Sequence, residues 1–267
     1  MKKQLPVGLL VEGNSTNSVI LRLPSLAEEL GPVKSKTLRV GRRLANFLGA
    51  GNAVTNYEQL QETRLILIRA PDADAPRIIQ ELCASELEME SLSFALCETW
   101  LSTRMLEPLR AKGACTATVM AGPNPRRGWF VAEGHTNVVR QLRRLIEGGN
   151  GRVLEIEAGR KDLYFAAELL TTALPIPLFA AAQWALRDAG ISGNLLQALL
   201  EDMAERMFKD FGKRSRITWG GPLAAMDSDA AERYLEVLRG RDGELARYVD
   251  EQLASAKRNL RKRANRR

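Results

Sequence analysis

The chain has 267 residues, of which 45% are hydrophobic and 27% are charged, so it can bury a substantial core and is long enough for two modest domains. Much of its net charge of +7 lies in a C-terminal basic tail, residues 257–267, which is typical of a solvated chain end and disfavours nucleic-acid binding. Three cysteines without C-x-x-C spacing exclude a disulfide framework, predict no metal site and indicate a reduced, cytoplasmic protein.

Short apolar runs alternate with helical patterns from residue 5 to about residue 157, which is the signature of βαβ units on a mostly parallel sheet. Strands are predicted at Leu5–Val11, Thr37–Val40, Arg64–Ala70, Ser91–Leu96, Cys115–Met120, Trp129–Ala132 and Arg152–Ile156. Helices are predicted at Ser15–Leu30, with a disturbance at Pro24, and at Arg42–Leu48, Ala75–Ser85, Ser102–Lys112 and Asn137–Ile146. Residues 1–157 are therefore expected to form an α/β domain.

After about residue 158 nearly every segment follows helical periodicity. Helices are predicted at Asp162–Leu186, Ser192–Phe211, Ser228–Leu238 and Gly243–Leu260. The apolar stretch Leu163–Leu186 is as long as a membrane span, but Glu168, Gln183 and two prolines interrupt it, so we expect a buried, kinked helix and no membrane. Residues 158–256 are predicted to form an all-helical domain that holds the substrate cleft and joins two copies into a homodimer.

The turn after the first predicted strand carries part of a dinucleotide-binding motif. Against G-x-G-x-x-G, Val11 takes the first glycine position, Gly13 keeps the second, and threonine replaces the third. Gly13 occupies the position that lets a pyrophosphate approach the backbone. Donors to the phosphates are expected on Asn14, Ser15 and Thr16. Because Glu12 adds a negative charge at this place, a tight turn in a Rossmann-like scaffold without a ligand stays an alternative.

Arg42 and Arg43 follow the second predicted strand. At that point an NAD-binding protein usually carries Asp or Glu for the ribose hydroxyls, whereas an NADP-binding protein carries arginine. The two guanidinium groups suit a 2′-phosphate through charge-assisted hydrogen bonds. The sequence therefore predicts NADP if a dinucleotide binds, and a solvated first helical turn is the alternative.

Together these features resemble the superfamily of ketopantoate reductase, pyrroline-5-carboxylate reductase and the β-hydroxyacid dehydrogenases, in which a Rossmann-like NAD(P)-binding domain precedes a helical domain. Within it the chain resembles a divergent member of an uncharacterised bacterial family of Rossmann-like oxidoreductases with a C-terminal domain of unknown function. The likeness rests on the order and spacing of four segments: Ala70-Pro71-Asp72, LEPLRAKGA at 106–114, Lys161-Asp162-Leu163-Tyr164 and GPLAAMD at 221–227. It implies NADP-dependent hydride transfer to or from a small polar or carboxylate substrate.

The resemblance also implies roles for particular residues. Lys161 is implied as the catalytic residue, because the lysine that opens the long helix of the second domain projects toward the cleft, where an ammonium binds a carboxylate or protonates an alkoxide. Tyr164 and Asp227 are implied as substrate-binding, and Ala70 and Pro71 as lining the cofactor. The alternatives are a surface position for Lys161, a core position for Tyr164 and a helix cap for Asp227.

Several polar positions of the family's cleft are altered in this chain. The family's serine-glycine pair reads Glu98-Thr99, its histidine-proline pair reads Met120-Ala121, and the histidine after the helix tyrosine is Phe165. An asparagine and an arginine of the family are Ala173 and Ala225. The single histidine, His135, matches no family site. A second hypothesis therefore stays open, that of a catalytically eroded Rossmann-fold protein acting in ligand binding or assembly.

Overall fold

In a computed structural model that describes residues 6–13, 18–124, 127–214 and 228–264, the first part of the chain forms an eight-stranded sheet. Its strands are β1 (Val7–Val11), β2 (Leu30–Ser35), β3 (Asn52–Val54), β4 (Leu65–Arg69), β5 (Ser93–Cys97), β6 (Cys115–Ala121), β7 (Trp129–Gly134) and β8 (Arg152–Glu155). They lie in the order β3-β2-β1-β4-β5-β6-β7-β8, and all neighbours are parallel except β6 and β7. Because the first six strands have the order of dinucleotide-binding sheets, the predicted Rossmann-like fold is confirmed.

Helices pack on the sheet at α1 (Pro24–Glu29), α2 (Leu38–Leu48), α3 (Ala75–Ala84), α4 (Glu107–Ala111) and α5 (Thr136–Gly148). Strands β1 and β5 are buried along their whole length, as expected for parallel strands covered on both faces. Successive side chains of β4 enter opposite apolar clusters: Leu67 packs with residues of α2 and α5, and Ile66 and Ile68 pack with residues of α3 and α4. The carboxyl ends of the central strands thus meet at one edge between two packed layers.

The first connection differs from the helix predicted at Ser15–Leu30. The chain instead forms a short 3₁₀ helix at Ile20–Arg22 and then α1, while residues 14–17 lie outside the described ranges. Pro24 explains the break, because it has no N–H to donate to a preceding turn and occupies the first position of α1, where that donor is not needed. The disturbance predicted at Pro24 is therefore confirmed, but the chain before it forms a 3₁₀ turn and not the predicted helix.

The second strand, β2, lies earlier than the predicted stretch Thr37–Val40. Thr37 is the N-cap of α2, and its hydroxyl accepts a hydrogen bond from the amide of Val40 at 3.3 Å, so the residues predicted as a strand form the first helical turn. Gly41 lies inside the helix and allows close packing, since a Cβ there would stand 3.2 Å from the Cβ of Ala53 on β3. The short edge strand β3 was not predicted.

The rest of the described chain is helical, as predicted. Its helices are α6 (Lys161–Thr172), α7 (Ile176–Asp188), α8 (Gly193–Arg214), α9 (Ser228–Arg239) and α10 (Gly243–Ala264). The chain divides into two compact units, residues 1–167 and 168–267. The boundary predicted near residue 157 lies in the loop between β8 and α6, and the first turns of α6 belong to the unit that contains the sheet.

The apolar stretch Leu163–Leu186 is neither one helix nor buried, contrary to the prediction. Pro175 precedes α7 as its N-cap, and because proline cannot continue a helical ladder, residues 173–175 separate α6 from α7. Only Lys161 is buried in α6, and no residue is buried in α7. An 18-residue window within residues 161–188 has a mean hydropathy of 1.6, and the segment is long enough to cross a membrane, which for a single segment is weak evidence.

Candidate functional site

The strand order reverses between β1 and β4, and ligands of open α/β sheets bind outside the carboxyl ends of the strands at such a point. Gly13 lies there, after β1, with a φ of +72°. A Cβ on Gly13 would stand 2.8 Å from Cγ of Pro71, so both the conformation and the space require glycine. Ala70 is buried in the core, whereas Pro71 is exposed at the strand edge. Three further predicted cofactor contacts lie outside the described residues: Asn14, Ser15 and Thr16.

The charge of Glu12 is balanced by a neighbouring cation. Its carboxylate pairs with the guanidinium of Arg77 on α3, which also donates to Glu81 at 2.6 Å. The Glu12 amide donates to the carbonyl oxygen of Arg69 at 2.9 Å and so continues the β1–β4 ladder. The negative charge that the sequence places beside the expected phosphates is thus engaged by Arg77, which weakens its repulsion of an anion.

Four exposed cations follow β2 along the chain, in the loop and the first turns of α2, and we call them the basic cluster: Lys36, Arg39, Arg42 and Arg43. Arg42 and Arg43 were predicted from the sequence, and both are exposed on α2. Lys36 and Arg39 lie nearer the strand and were missed, because the strand was predicted too late in the chain. None of the four is ion-paired among the described residues. Unpaired cations beside a capped helix start are suited to binding a phosphate.

Glu98 follows β5 and directs its carboxylate along the same edge of the sheet. Its φ of +54° is a left-handed conformation that costs a residue other than glycine roughly 1–2 kcal/mol. Oε1 accepts hydrogen bonds from the hydroxyl of Ser18 at 2.9 Å and from the amides of Val19 at 2.5 Å and Ile20 at 3.0 Å. Oε2 accepts a hydrogen bond from Nε of Arg69 at 2.6 Å. The sequence identified Glu98 only as a departure from the family, but the structure ties it to β4 and to the segment after β1.

Lys161 opens α6 and is buried against the segments that follow and flank β5. Its Nζ donates to the carbonyl oxygens of Thr99 and Leu101, both at 2.8 Å, and to the hydroxyl of Thr118 at 3.1 Å. An ammonium has three N–H donors, so these acceptors use all of them. The residue is 1% exposed, and this burial lowers the pKa of Lys161 from 10.5 to about 8. Lys161 thus lies at the strand ends with its donors engaged, and its catalytic role stays a prediction.

Glu133 is a buried carboxylate of β7 that sequence reasoning missed. One oxygen accepts a hydrogen bond from the amide of Thr103 at 2.7 Å, and the other accepts one from the amide of Gly159 at 3.0 Å. Its charge opposes the effect of burial on the pKa of Lys161. The predicted strand ended just before Glu133, although an acidic residue in an apolar strand was the available signal. Within the described ranges, no three His, Cys, Asp or Glu side chains converge to hold a metal.

Aromatic side chains pack together at the start of α6. The ring centroid of Phe165 lies 4.5 Å from that of Trp100 and 5.6 Å from that of the half-buried Tyr164. Phe165 stands where the family carries histidine, and here it serves ring packing and a cation–π contact of 5.6 Å with Nζ of Lys161. Asp227, predicted to bind substrate, lies outside the described residues.

Residues 129–255 match the model of a protein family described as a domain of unknown function (DUF2520). No curated protein sequence matches the chain. Solved structures match nearly its whole length. A pyrroline-5-carboxylate reductase from Coxiella burnetii is 14% identical with a TM-score of 0.56, and the match covers 97% of this chain and 98% of that one.

Two imine reductases are also similar. The V8 variant from Myxococcus stipitatus, in complex with NAD+, is 15% identical with a TM-score of 0.68. The match covers 97% of this chain and 94% of that one. The enzyme from Aspergillus terreus, in complex with NADPH4, is 16% identical with a TM-score of 0.64. The match covers 94% of this chain and 95% of that one. At such identities the likeness shows the fold, and it confirms the resemblance found in the sequence. The chain thus shares the fold of the pyrroline-5-carboxylate reductase and of the imine reductases, and residues 129–255 match the DUF2520 family model.

Proposed function

We propose that the protein is an NADP-dependent oxidoreductase that transfers a hydride to or from a small polar or carboxylate substrate. The observation that carries the proposal is the basic cluster that follows β2. In sheets of this strand order, acidic residues at that point favour the ribose hydroxyls of NAD, and cations favour the 2′-phosphate of NADP. The structural neighbours solved with NAD+ and NADPH4 support a nicotinamide dinucleotide.

The residues present fit the adenosine 2′-phosphate end of such a cofactor, because four exposed cations there have no competing ion pair among the described residues. Gly13 leaves the backbone open to the phosphates that join the two nucleosides, and Ala70 and Pro71 follow the neighbouring strand. When bound, the nicotinamide supplies or accepts the hydride. The protein contributes binding, orientation and a proton.

Lys161 is the residue proposed to hold that proton. With a pKa of about 8 it is able to hold and release a proton near neutral pH, as a general acid requires. Its third hydrogen bond, to Thr118 at 3.1 Å, is the longest of the three and is the one most readily exchanged for a substrate oxygen. Tyr164, one turn later, and Asp227 stay proposed substrate contacts.

A binding titration of the purified full chain tests the proposal. We expect NADPH and adenosine 2′-monophosphate to bind, and NADH to bind more weakly than NADPH. Replacing Arg39 or Arg42 by alanine should lower the affinity for the two 2′-phosphate ligands about tenfold or more, because each substitution removes a charge-assisted contact of at least about 1.4 kcal/mol. Arg140→Ala, an exposed arginine on α5, is the matched control and should change nothing. Failure of both phosphate ligands to bind at millimolar concentration would contradict the proposal.

The alternative is an eroded protein that keeps the fold for ligand binding or assembly. Two observations favour it: all three donors of Lys161 are used by the protein, and the carboxylate of Glu98 occupies the segment after β1. The two hypotheses differ in their dependence on Lys161. If NADPH binds but supports no hydride transfer to any of a panel of imines and 2-oxo acids, and Lys161→Met leaves all binding unchanged, the eroded protein is the better account.

We also propose that the protein is a cytoplasmic homodimer formed through its helical part. Six large apolar residues of α6, α7 and the link between them are at least one-third exposed: Leu169, Leu170, Leu174, Ile176, Leu178 and Phe179. Large apolar side chains exposed along neighbouring helices are typical of an interaction site, and a second copy of the chain is the partner we propose. The three cysteines are free thiols, which fits a reducing compartment.

A further inference from the structure

The ammonium of Lys161 is held by a stretch of irregular backbone. Two of its three acceptors are the carbonyl oxygens of Thr99 and Leu101, which lie in the connection that follows β5. Residues 98–102 belong to no helix or strand, so their carbonyl groups depend on other contacts to keep a fixed direction. The position of the ammonium therefore depends on what orders residues 99–101.

Asp72, which follows β4, makes the contacts that order this connection. One of its carboxylate oxygens accepts a hydrogen bond from the hydroxyl of Thr99 at 2.6 Å, and the other accepts one from the amide of Trp100 at 3.0 Å. The hydroxyl of Thr99 accepts a further hydrogen bond from the amide of Leu101 at 3.0 Å. Because Thr99 is fully buried, water does not compete for these contacts. Hydrogen bonds thus link Asp72 to both residues whose carbonyl groups hold Lys161.

Asp72 also contributes its charge. Four titratable groups face Lys161 from the elements around it: Glu133 on β7, Asp72 after β4, the thiol of Cys97 on β5 and the adjacent Asp162 on α6. Burial raises the pKa of the Cys97 thiol, so that thiol is uncharged at neutral pH. Glu133 accepts hydrogen bonds from amides outside residues 99–101, whereas Asp72 combines a charge with direct contacts to the acceptor segment.

The two carbonyl groups suit Lys161 both before and after it gives up a proton. An ammonium has three N–H donors, and a neutral amine keeps two. When the third proton moves from Nζ to a substrate oxygen, the carbonyl oxygens of Thr99 and Leu101 still accept from both donors that remain. The hydroxyl of Thr118, which accepts from the ammonium, is also able to donate to the lone pair of the amine. Proton transfer therefore requires no movement of the nitrogen as long as residues 99–101 stay in place.

We propose that Asp72 is a positioning residue for the proton donor: it orders residues 99–101, and with them the amine of Lys161, and its charge favours the ammonium form. The inference rests on the proposed function, because Lys161 is the proton donor of that reaction. Asp72 acts through Thr99 and the backbone, and the proposal gives it no contact with the substrate. It assigns a role to the acidic residue of the segment Ala70-Pro71-Asp72.

The test measures the titration of Lys161 by NMR in the full chain, with carbon-13 at Cε of the lysines. The resonance is assigned by its absence from Lys161→Met and is followed from about pH 6 to about pH 10.5. Asp72→Asn keeps the size of the side chain and removes the charge, and Thr99→Val keeps the carbonyl and removes the hydroxyl. Each should raise the acid dissociation constant of Lys161 about threefold to tenfold, because the ammonium loses charge stabilisation, ordered acceptors or both.

Two further variants sharpen the test. The double variant Asp72→Asn/Thr99→Val should change the dissociation constant no more than Asp72→Asn alone, because Thr99 acts on the acceptors together with Asp72. Asp74→Asn is the matched control, since it removes a carboxylate of the same loop that lies 3.9 Å from the guanidinium of Arg77. It should leave the titration of Lys161 unchanged.

The outcomes separate the role of Asp72 from the proposed function. A merely structural aspartate would lower the unfolding temperature and leave the titration of Lys161 as it is. An unchanged dissociation constant in folded Asp72→Asn therefore overturns the inference, while the proposed function stands if NADPH still binds. If neither NADPH nor adenosine 2′-monophosphate binds to the unmodified protein, the proposed function fails, and with it the reaction that Asp72 would serve. Should Asp72→Asn not fold, Thr99→Val decides alone.

Discussion

Replacing Lys161 by methionine tests whether its ammonium is held in a costly buried environment. Burial lowers the pKa of Lys161 from 10.5 to about 8, while the unfolded chain keeps the ordinary value. Below about pH 8 the amine is protonated in both states, and above about pH 10.5 it is neutral in both. Between these limits the unfolded state binds more protons, so the free energy of unfolding rises with pH. The difference amounts to roughly 3 kcal/mol.

The assay is urea unfolding of the unmodified protein and of Lys161→Met at intervals from pH 7.5 to pH 10.5. A background that carries phenylalanine at Trp184 and Trp219 leaves Trp100 and Trp129, both in the first compact unit, as fluorescent reporters. Methionine has a similar length and no titrating group. The free energy of unfolding of the unmodified protein should therefore rise relative to that of Lys161→Met by roughly 3 kcal/mol across the range.

The comparison uses only the change of the free energy of unfolding with pH. A stability loss in Lys161→Met that is the same at every pH, such as that from the unpaired acceptors, therefore does not affect it. Lys161→Arg provides a second control, because a guanidinium stays charged throughout and should also show no rise. Parallel curves for the unmodified protein and Lys161→Met would refute the reasoning. They would mean that the amine titrates as it does in water and that its three hydrogen bonds offset the cost of burial.

Two further predictions concern stability and assembly. Gly134 has a φ of +138°, and a Cβ there would stand 2.5 Å from Cα of Ala117, so Gly134→Ala should lower the free energy of unfolding by roughly 3 kcal/mol or more in urea titrations. Gly49→Ala, with a φ of +66° and open space around it, should cost roughly 1 kcal/mol, and equal effects would contradict the packing argument. Leu170→Arg should shift the sedimenting species from a dimer to a 29.6 kDa monomer, whereas Phe47→Arg, an exposed apolar residue of α2, should not. A monomeric unmodified protein would rule out the proposed homodimer.

The central sheet was predictable because its signals are local. The run RLILIRA contains β4, and its unbroken apolar character is what a strand buried on both faces requires. The first βαβ unit was less predictable, because its boundaries depend on single residues. Pro24 divides the first helix, and Thr37 caps α2 in a stretch whose composition also suits a strand.

The candidate site was only partly predictable, since its contacts join distant parts of the chain. Gly13 followed from its motif position, and Lys161 followed from a resemblance. The contact between Glu98 and Ser18 spans 80 positions, and that between Lys161 and Thr99 spans 62, so no local pattern announces either of them. The three acceptors of the Lys161 ammonium come from separate parts of the chain, and the sequence does not show that they lie together.

The buried start of α6 also determines where a fragment that contains the sheet should end if it is to be expressed alone. A fragment ending at residue 157 would remove the ammonium of Lys161 and the amide of Gly159, leaving an oxygen of the fully buried Glu133 without its donor. An unpaired buried carboxylate destabilises the state that contains it. A fragment extended to residue 167 keeps these donors and follows the limit of the first compact unit. Residues 158–167 therefore belong to the folding unit of the sheet, and a fragment of the sheet should include them.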